Sequence, residues 1–257
     1  MTHDDPFKNL KSSFGEENPI ISDQRAGKKA PPVEKPINEN EKIIPLISEN
    51  KISLKELNIY ECFKKRKSIR SFTNESISFE ELSFLLWATQ GVRHELRSSS
   101  TGEINALFKS TPSAGARNPF DTYLLIKNVE GLSPGLYRFT ALKKGLLFIA
   151  EDDYSGSKLK EAVNGQTFCA EAPVIFVWVA TPYRTEWRYG VERSIKVILL
   201  DAGHIGQNLH LACDALNLGT CMIAAYNQNL IDEILKIDGT QELAVYLAPV
   251  GVPSVKN

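Results

Sequence analysis

Arg66-Lys67-Ser68-Ile69-Arg70 sets two guanidinium groups and a hydroxyl at alternate positions, with Lys67 between them. Guanidinium forks and a short hydroxyl suit a phosphate. The plainer reading is a solvated basic helix end, where cations complement the helix dipole. A second stretch, Pro112-Ser113-Ala114-Gly115-Ala116-Arg117-Asn118-Pro119, has proline at each end and small residues around a glycine. Such a backbone can approach a flat ligand without side chains intervening, or can simply turn the chain into a following strand. A third, Trp187-Arg188-Tyr189-Gly190, offers a permanently charged donor that can orient an anion but is a poor base, next to a phenol able to carry a proton. Its plain alternative is a surface patch at a helix start. His204 and His210, six apart on one helix, point to different faces, which argues against a shared metal and favours packing roles.

These residues need elements to hold them. Residues 1–42 are rich in Lys, Glu, Asn and Pro and are expected to form a disordered leader, so that 43–257 is one folded domain. Helical spacing predicts a helix over Leu54–Arg66. Ser78 and Glu81 form a capping box with Ile77 and Leu82 as its staple, and Gly91 closes that helix. Residues 94–110 are polar without clear period and are read as a loop or marginal helix. Thr122–Lys127 reads as a strand and Leu136–Ala150 as a hairpin turned at Lys143-Lys144-Gly145. Val174–Ala180, between Pro173 and Pro182, reads as a strand buried on both faces.

Ile195, Ile198, Ala202, Ile205, Leu209, Ala212 and Leu216 step along one face of a long helix that Gly219 ends. The seam suits either an internal core or a subunit interface, and Gly203 and Gly206 suggest close approach of another backbone. Cys221–Tyr226 reads as a strand leading to a loop, Asn229–Ile237 as a helix and Ala244–Val250 as a final strand. Helices interspersed with strands, without regular βαβ alternation, give an α+β fold.

The chain of 257 residues carries a formal charge of −1, which gives no electrostatic reason to expect nucleic acid or an anionic membrane as partner. Four cysteines lack Cys-x-x-Cys spacing, so no metal site or disulfide framework is signalled. Without a signal-peptide pattern or a membrane-length apolar run, a cytoplasmic protein is expected. Dinucleotide and P-loop glycine motifs are absent.

Arg-x-Ser-x-Arg followed by Phe72, then Pro-Ser-Ala-Gly-Ala-Arg, Gly135-Leu136-Tyr137, Leu200–Leu209 and Leu216–Cys221, in this order, resemble the nitroreductase superfamily of FMN enzymes, and within it the SagB-type dehydrogenases. The resemblance spans roughly Leu54 to Pro253. It implies a mainly antiparallel central sheet flanked by helices, and a homodimer packed along its long central helices with two FMN sites built from both subunits. Arg66, Lys67, Ser68 and Arg70 would face the phosphate and ribityl chain. Pro112, Ser113, Ala114 and Gly115 would border the ring, and the amides of Ala224 and Ala225 would approach its reactive nitrogen. Catalytic roles fall to Arg188 and Tyr189, where azoline dehydrogenases often carry Lys-Tyr; the Arg188 departure bears on azoline oxidation, not on flavin binding. Lys256 lies beyond the final strand, in the region from which many nitroreductases supply another phosphate-binding cation on a longer C-terminal arm. Three functions follow: SagB-like oxidation of azoline rings in a modified peptide, NAD(P)H-dependent reduction of a nitroaromatic or quinone, and a non-catalytic flavin-binding scaffold.

Overall fold

Val174–Ala180 has no polar residue, and it lies at the middle of a sheet covered on both faces. A computed structural model describes residues 5, 7–12, 14, 21–38, 40–52, 58–152, 154 and 156–254. Its strands are β1 (Ile43–Pro45), β2 (Val92–Arg97), β3 (Ile104–Lys109), β4 (Phe120–Ile126), β5 (Gly135–Thr140), β6 (Gly145–Glu151), β7 (Val174–Ala180), β8 (Gly219–Thr220) and β9 (Leu243–Gly251). Its helices are α1 (Ile59–Lys65), α2 (Phe79–Gln90), α3 (Ser157–Ala162), α4 (Thr167–Glu171), α5 (Tyr183–Tyr189), α6 (Val191–Ala215) and α7 (Gln228–Leu235).

Seven strands pair antiparallel in the order β1-β6-β5-β4-β7-β9-β8. On one face Phe176 and Trp178 pack with Leu82, Leu85 and Leu86 of α2 and with Ile205 and Leu209 of α6. On the other, Ile175, Val177 and Val179 pack with Leu159 of α3, Cys169 of α4 and Ile231 of α7. A strand with helices on both sides has no solvent face, which is why β7 shows a continuous apolar run instead of alternation. The α+β architecture and antiparallel sheet agree with expectation.

Ser78 Oγ accepts from Glu81 N at 3.1 Å, and the Glu81 carboxylate accepts from Ser78 N at 2.8 Å, completing the capping box of α2. Ile77 and Leu82 are fully buried beside it, and Gly91 N donates to Trp87 O at the other end.

Several expectations are corrected. Residues 92–109 form the β2–β3 hairpin, not a loop or marginal helix: Ala106, Leu107 and Lys109 turn inward while Asn105 and Phe108 face out, and the buried lysine breaks the apolar alternation that would mark a strand. Helix α1 starts at Ile59, where Asn58 Oδ1 accepts from Tyr60 N at 2.9 Å; the predicted start, with Leu54 and Leu57, lies outside the described residues, as does Lys256. Helix α6 ends at Ala215 and the chain reverses at Asn217 (φ +57°), so Gly219 opens β8 instead of stopping the helix. Beyond Thr220 only Ile223 bridges to β9, against the expected strand over Cys221–Tyr226.

The leader also departs from its expected disorder where it is described. Arg138 donates to Lys35 O and Pro36 O at 3.1 and 3.0 Å, Glu34 accepts from Thr140 Oγ1 and Ala141 N, and Trp187 Nε1 donates to Lys28 O. Polar hydrogen bonds to the backbone fix this strap, and composition does not report them.

From Ile198 onward the α6 seam is internal, while its first residue, Ile195, faces out. Ile198, Ala202, Ile205, Leu209 and Ala212 are buried in the chain's own core. The helix's outward apolar residues are Val191, Ile195, Leu199 and Leu200. A Cβ on Gly206 would meet the side chains of Met222 and Tyr246 at 3.0 and 3.1 Å, whereas Gly203 faces open space; neither meets another backbone within the chain.

Candidate functional site

The Pro112–Pro119 loop is clamped from beneath by α6. Ser113 Oγ donates to Asp201 Oδ2 at 2.6 Å and accepts from Asn118 N at 2.9 Å, and Ala114 N donates to Asp201 Oδ1 at 3.2 Å. Asn118 Nδ2 donates to Leu107 O at 2.7 Å, and His204 Nδ1 lies 3.3 Å from Pro112 O. The turn needs left-handed backbone at Gly115 (φ +58°), Ala116 (φ +52°) and Asn118 (φ +46°). Burial pushes the Asp201 carboxyl above its usual pKa, against the opposing effects of its bonds to Ser113 and Ala114 and the charge of His204.

Arg188 and Tyr189, at the end of α5, close on this turn. A Cβ on Gly115 would stand 2.6 Å from the Tyr189 hydroxyl and 2.7 Å from Arg188 Nε. Arg117 turns inward, donates Nε to Arg184 O at 2.9 Å and stacks its guanidinium 4.7 Å from the Trp187 ring centroid. Together with the β2–β3 hairpin these residues enclose a cleft of about 940 Å³ bordered by Lys109, Pro112, Gly115, Arg117, Trp187 and Arg188.

The basic segment sits elsewhere, against β8. Ile69 N donates to Thr220 O at 2.9 Å, and the Ile69 side chain covers Gly219, where a Cβ would lie 2.7 Å from it. With Ile69 pinned inward, Arg66, Lys67, Ser68 and Arg70 are displayed on either side, and none of the three cations forms an ion pair among the described residues. Thr220 Oγ1 beside them is buried with no hydrogen-bond partner among the described residues. His210 borders the same spot; burial, helped by the Arg66 charge, holds its imidazole below the usual pKa. Ala224 and Ala225 are exposed a few residues beyond β8, with Ala225 O accepting from Gln166 Nε2 at 2.8 Å.

The predicted residues therefore form two groups. Pro112–Gly115, Arg188 and Tyr189 are brought together along the first half of α6, the turn itself beside Asp201 and His204. Arg66–Arg70 gather at β8, near His210 and Asp214 at its other end, and Ala224 and Ala225 follow β8 along the chain. From Asp201 to His210 the rise along the helix is about 14 Å. Asp201, Lys109, Arg184 and Thr220 were not singled out from sequence; a carboxylate beside the apolar seam of a long helix was the one available signal, at Asp201. Among the described residues no group of three or more His, Cys, Asp or Glu side chains could hold a metal ion, and no helix is long and apolar enough to cross a membrane.

The antiparallel sheet flanked by helices is the nitroreductase-like fold, and residues 63–252 match the Nitroreductase family profile. The chain belongs to the nitroreductase family, whose members are generally oxidoreductases and typically bind flavin. It is 32% identical over 198 residues to MJ1384 of Methanocaldococcus jannaschii, a protein with a provisional nitroreductase name, covering 77% of this chain and 92% of that one. It is 29% identical over 149 residues to the trifolitoxin-processing protein TfxB of Rhizobium leguminosarum bv. trifolii, covering 57% of this chain but 39% of TfxB. The crystal structure of a nitroreductase-like protein from Ralstonia eutropha superposes with a TM-score of 0.64 at 22% identity, over 85% of this chain and 93% of that one, and shares the fold.

Proposed function

We propose that this chain is a homodimeric FMN-dependent oxidoreductase, most like the SagB-type dehydrogenases that oxidise azoline rings in modified peptides. The observation that carries the reading is the separation of the two residue groups along α6, by about 14 Å from Asp201 to His210. Within one chain Arg66–Arg70 and the exposed Ala224 and Ala225 lie by β8 or just beyond it, and the Gly115 turn lies against the middle of α6, at Asp201 and His204. The outward Val191, Ile195, Leu199 and Leu200 give α6 an apolar face for a second copy. Two copies with antiparallel α6 helices bring the β8 group of one against the Gly115 turn of the other.

The residues fit the cofactor. Among the described residues the side chains of Arg66, Ser68 and Arg70 form no ion pair or hydrogen bond, which leaves them as donors for the phosphate alongside the Thr220 hydroxyl, likewise without a partner there. The Pro112–Gly115 backbone, which has no large side chain, would border the ring, and the exposed Ala224 and Ala225 amides would meet its reactive edge. When bound, the flavin supplies hydride acceptance and donation. Tyr189 is positioned to carry a proton to or from the substrate, and Arg188 to hold a developing negative charge. TfxB, named for processing a peptide toxin, supports the peptide branch.

Arg188 in place of the lysine of azoline dehydrogenases favours a second reading, an NAD(P)H-dependent nitroreductase or quinone reductase. The test is the visible spectrum of the purified protein and identification of the released chromophore, followed by anaerobic mixing with either an azoline-bearing peptide or NAD(P)H. Bleaching by the peptide alone supports the first reading, and bleaching by NAD(P)H the second. Protein that is colourless and takes up no FMN sinks both.

A further inference from the structure

The cleft beside Gly115 has an uneven charge. Among the described residues its lining includes Arg93, Lys109, Arg117 and Arg188 and no Asp or Glu. Two of these cations are almost fully buried, Arg117 at 5% and Lys109 at 7% exposure. Each has donors to spare. Lys109 Nζ donates to Gln90 Oε1 at 2.6 Å, one bond from a group with three protons. Arg117 uses Nε on Arg184 O and Nη1 on Asn105 O, while Nη2 has no partner among the described residues.

The nearby acids are already committed. Asp121 pairs with Arg184 at 2.7 Å, and Glu34 accepts from Thr140 Oγ1 and the amides of Ala141 and Leu142. Buried positive charge without a counter-ion is unfavourable, and it registers on both cations. Burial, reinforced by the charges of Arg188 and Arg184, pulls the Arg117 guanidinium below its usual pKa. Burial likewise brings Lys109 down to about 8, despite Asp121 and Glu34.

We propose that the cleft is a carboxylate-recognition site, in which Lys109, Arg117 and Arg188 hold a carboxylate of the substrate beside the Gly115 turn. The proposal deepens the flavin reading and rests on it only for the position of the ring. A planar guanidinium fixed by stacking on Trp187 matches a planar carboxylate. Ala106, Leu107 and Trp187 in the same wall suit the organic body of such a ligand. The phosphate of the cofactor has separate donors at Arg66–Arg70, so the cleft's cations are left for a different anion.

Calorimetry on the full chain, with and without added FMN, tests this with benzoate, its neutral isostere benzamide, and inorganic phosphate. Benzoate is expected to bind at least about tenfold more tightly than benzamide. Lys109→Met and Arg188→Gln should each erase most of that preference and Arg188→Lys should keep part of it; because Arg188 is exposed, its variants do not depend on repacking the interior. Equal binding of benzoate and benzamide, or no binding of either, overturns the proposal. So does inorganic phosphate that occupies the cleft and blocks FMN but not riboflavin uptake, since the cleft would then hold the cofactor's phosphate. Preference for benzoate in protein that takes up no flavin supports the carboxylate site while overturning the flavin reading.

Discussion

Asp201, midway along α6, receives both the Ser113 hydroxyl and the Ala114 amide, so the turn that would border a flavin is anchored to the chain's longest helix by one carboxylate. Asp201→Ala leaves two part-buried donors without an acceptor and should cost about 1–3 kcal/mol in urea unfolding, with weaker flavin retention. Asp201→Asn keeps one acceptor and should lose less. Burial raises the Asp201 pKa, so the fold binds its proton more tightly than the unfolded chain does. Its contribution to stability therefore falls as pH rises from the ordinary carboxylate value through the raised one. Thermal midpoints across the acid range should show this decline in the native protein and not in Asp201→Asn.

Gly115 is required twice over, by its left-handed backbone and by the Tyr189 hydroxyl and Arg188 that fill the space of a Cβ. Gly115→Ala is expected to cost more than about 1 kcal/mol and to reduce FMN affinity by at least about tenfold, as the turn or the α5 end must shift. Gel filtration with retained colour measures the second effect. A variant as stable and as yellow as the native protein would place the ring elsewhere.

The legible parts of this molecule are those fixed by local chemistry. Ser78 and Glu81 cap α2 wherever that helix packs, and Gly115 supplies left-handed backbone to the Pro112–Pro119 turn, although the Asp201 anchor of that turn comes from another element. The illegible parts depend on what lies across space. The α6 seam from Ile198 onward has a period that says only that one face is buried; the partner turned out to be the chain's own sheet and α2, leaving Leu199 and Leu200 for another surface. Lys109 concealed the β2–β3 hairpin because a buried cation is acceptable only beside Gln90 and Asp121, which come from other elements. Separation of Arg66–Arg70 from the Gly115 turn likewise could not be read from their order along the chain.

Arg66 and Arg70 should discriminate FMN from riboflavin. Each replaced by Gln is expected to weaken FMN binding by about ten- to a hundredfold and leave riboflavin nearly unchanged, as expected for a lost charged hydrogen bond to phosphate. Fluorescence titration of the two flavins measures the ratio. Equal losses for both ligands would contradict a phosphate role.

Leu199 and Leu200 stand 54% and 56% exposed on α6, beside Gly203, which faces open space. In the proposed homodimer they are covered by the second copy. Leu199→Glu would place a carboxylate in that interface and should yield a monomer by light scattering, with FMN lost because each site needs both chains. A native protein that is already monomeric, or a monomeric variant that keeps full FMN affinity, would refute the composite site.

Asp121 and Arg184 form a buried ion pair of 2.7 Å behind the cleft. Burial opposes ionisation of Asp121, but the Arg184 guanidinium, with Lys109 and Arg138 adding to it, outweighs burial and sets the carboxyl below its ordinary 3.8. A depressed folded-state pKa means that the unfolded chain takes up the proton first as pH falls. The stabilisation is therefore complete above about 3.8 and lost on acidification through the lower, folded-state value. Asp121→Asn leaves the Arg184 charge buried without a counter-ion, and a loss of about 3–5 kcal/mol is expected at neutral pH. The gap between native and variant thermal midpoints should narrow as acid protonates Asp121 in the native protein. A gap that stays constant into the acid range would mean that the pair adds packing but no charge-dependent stability.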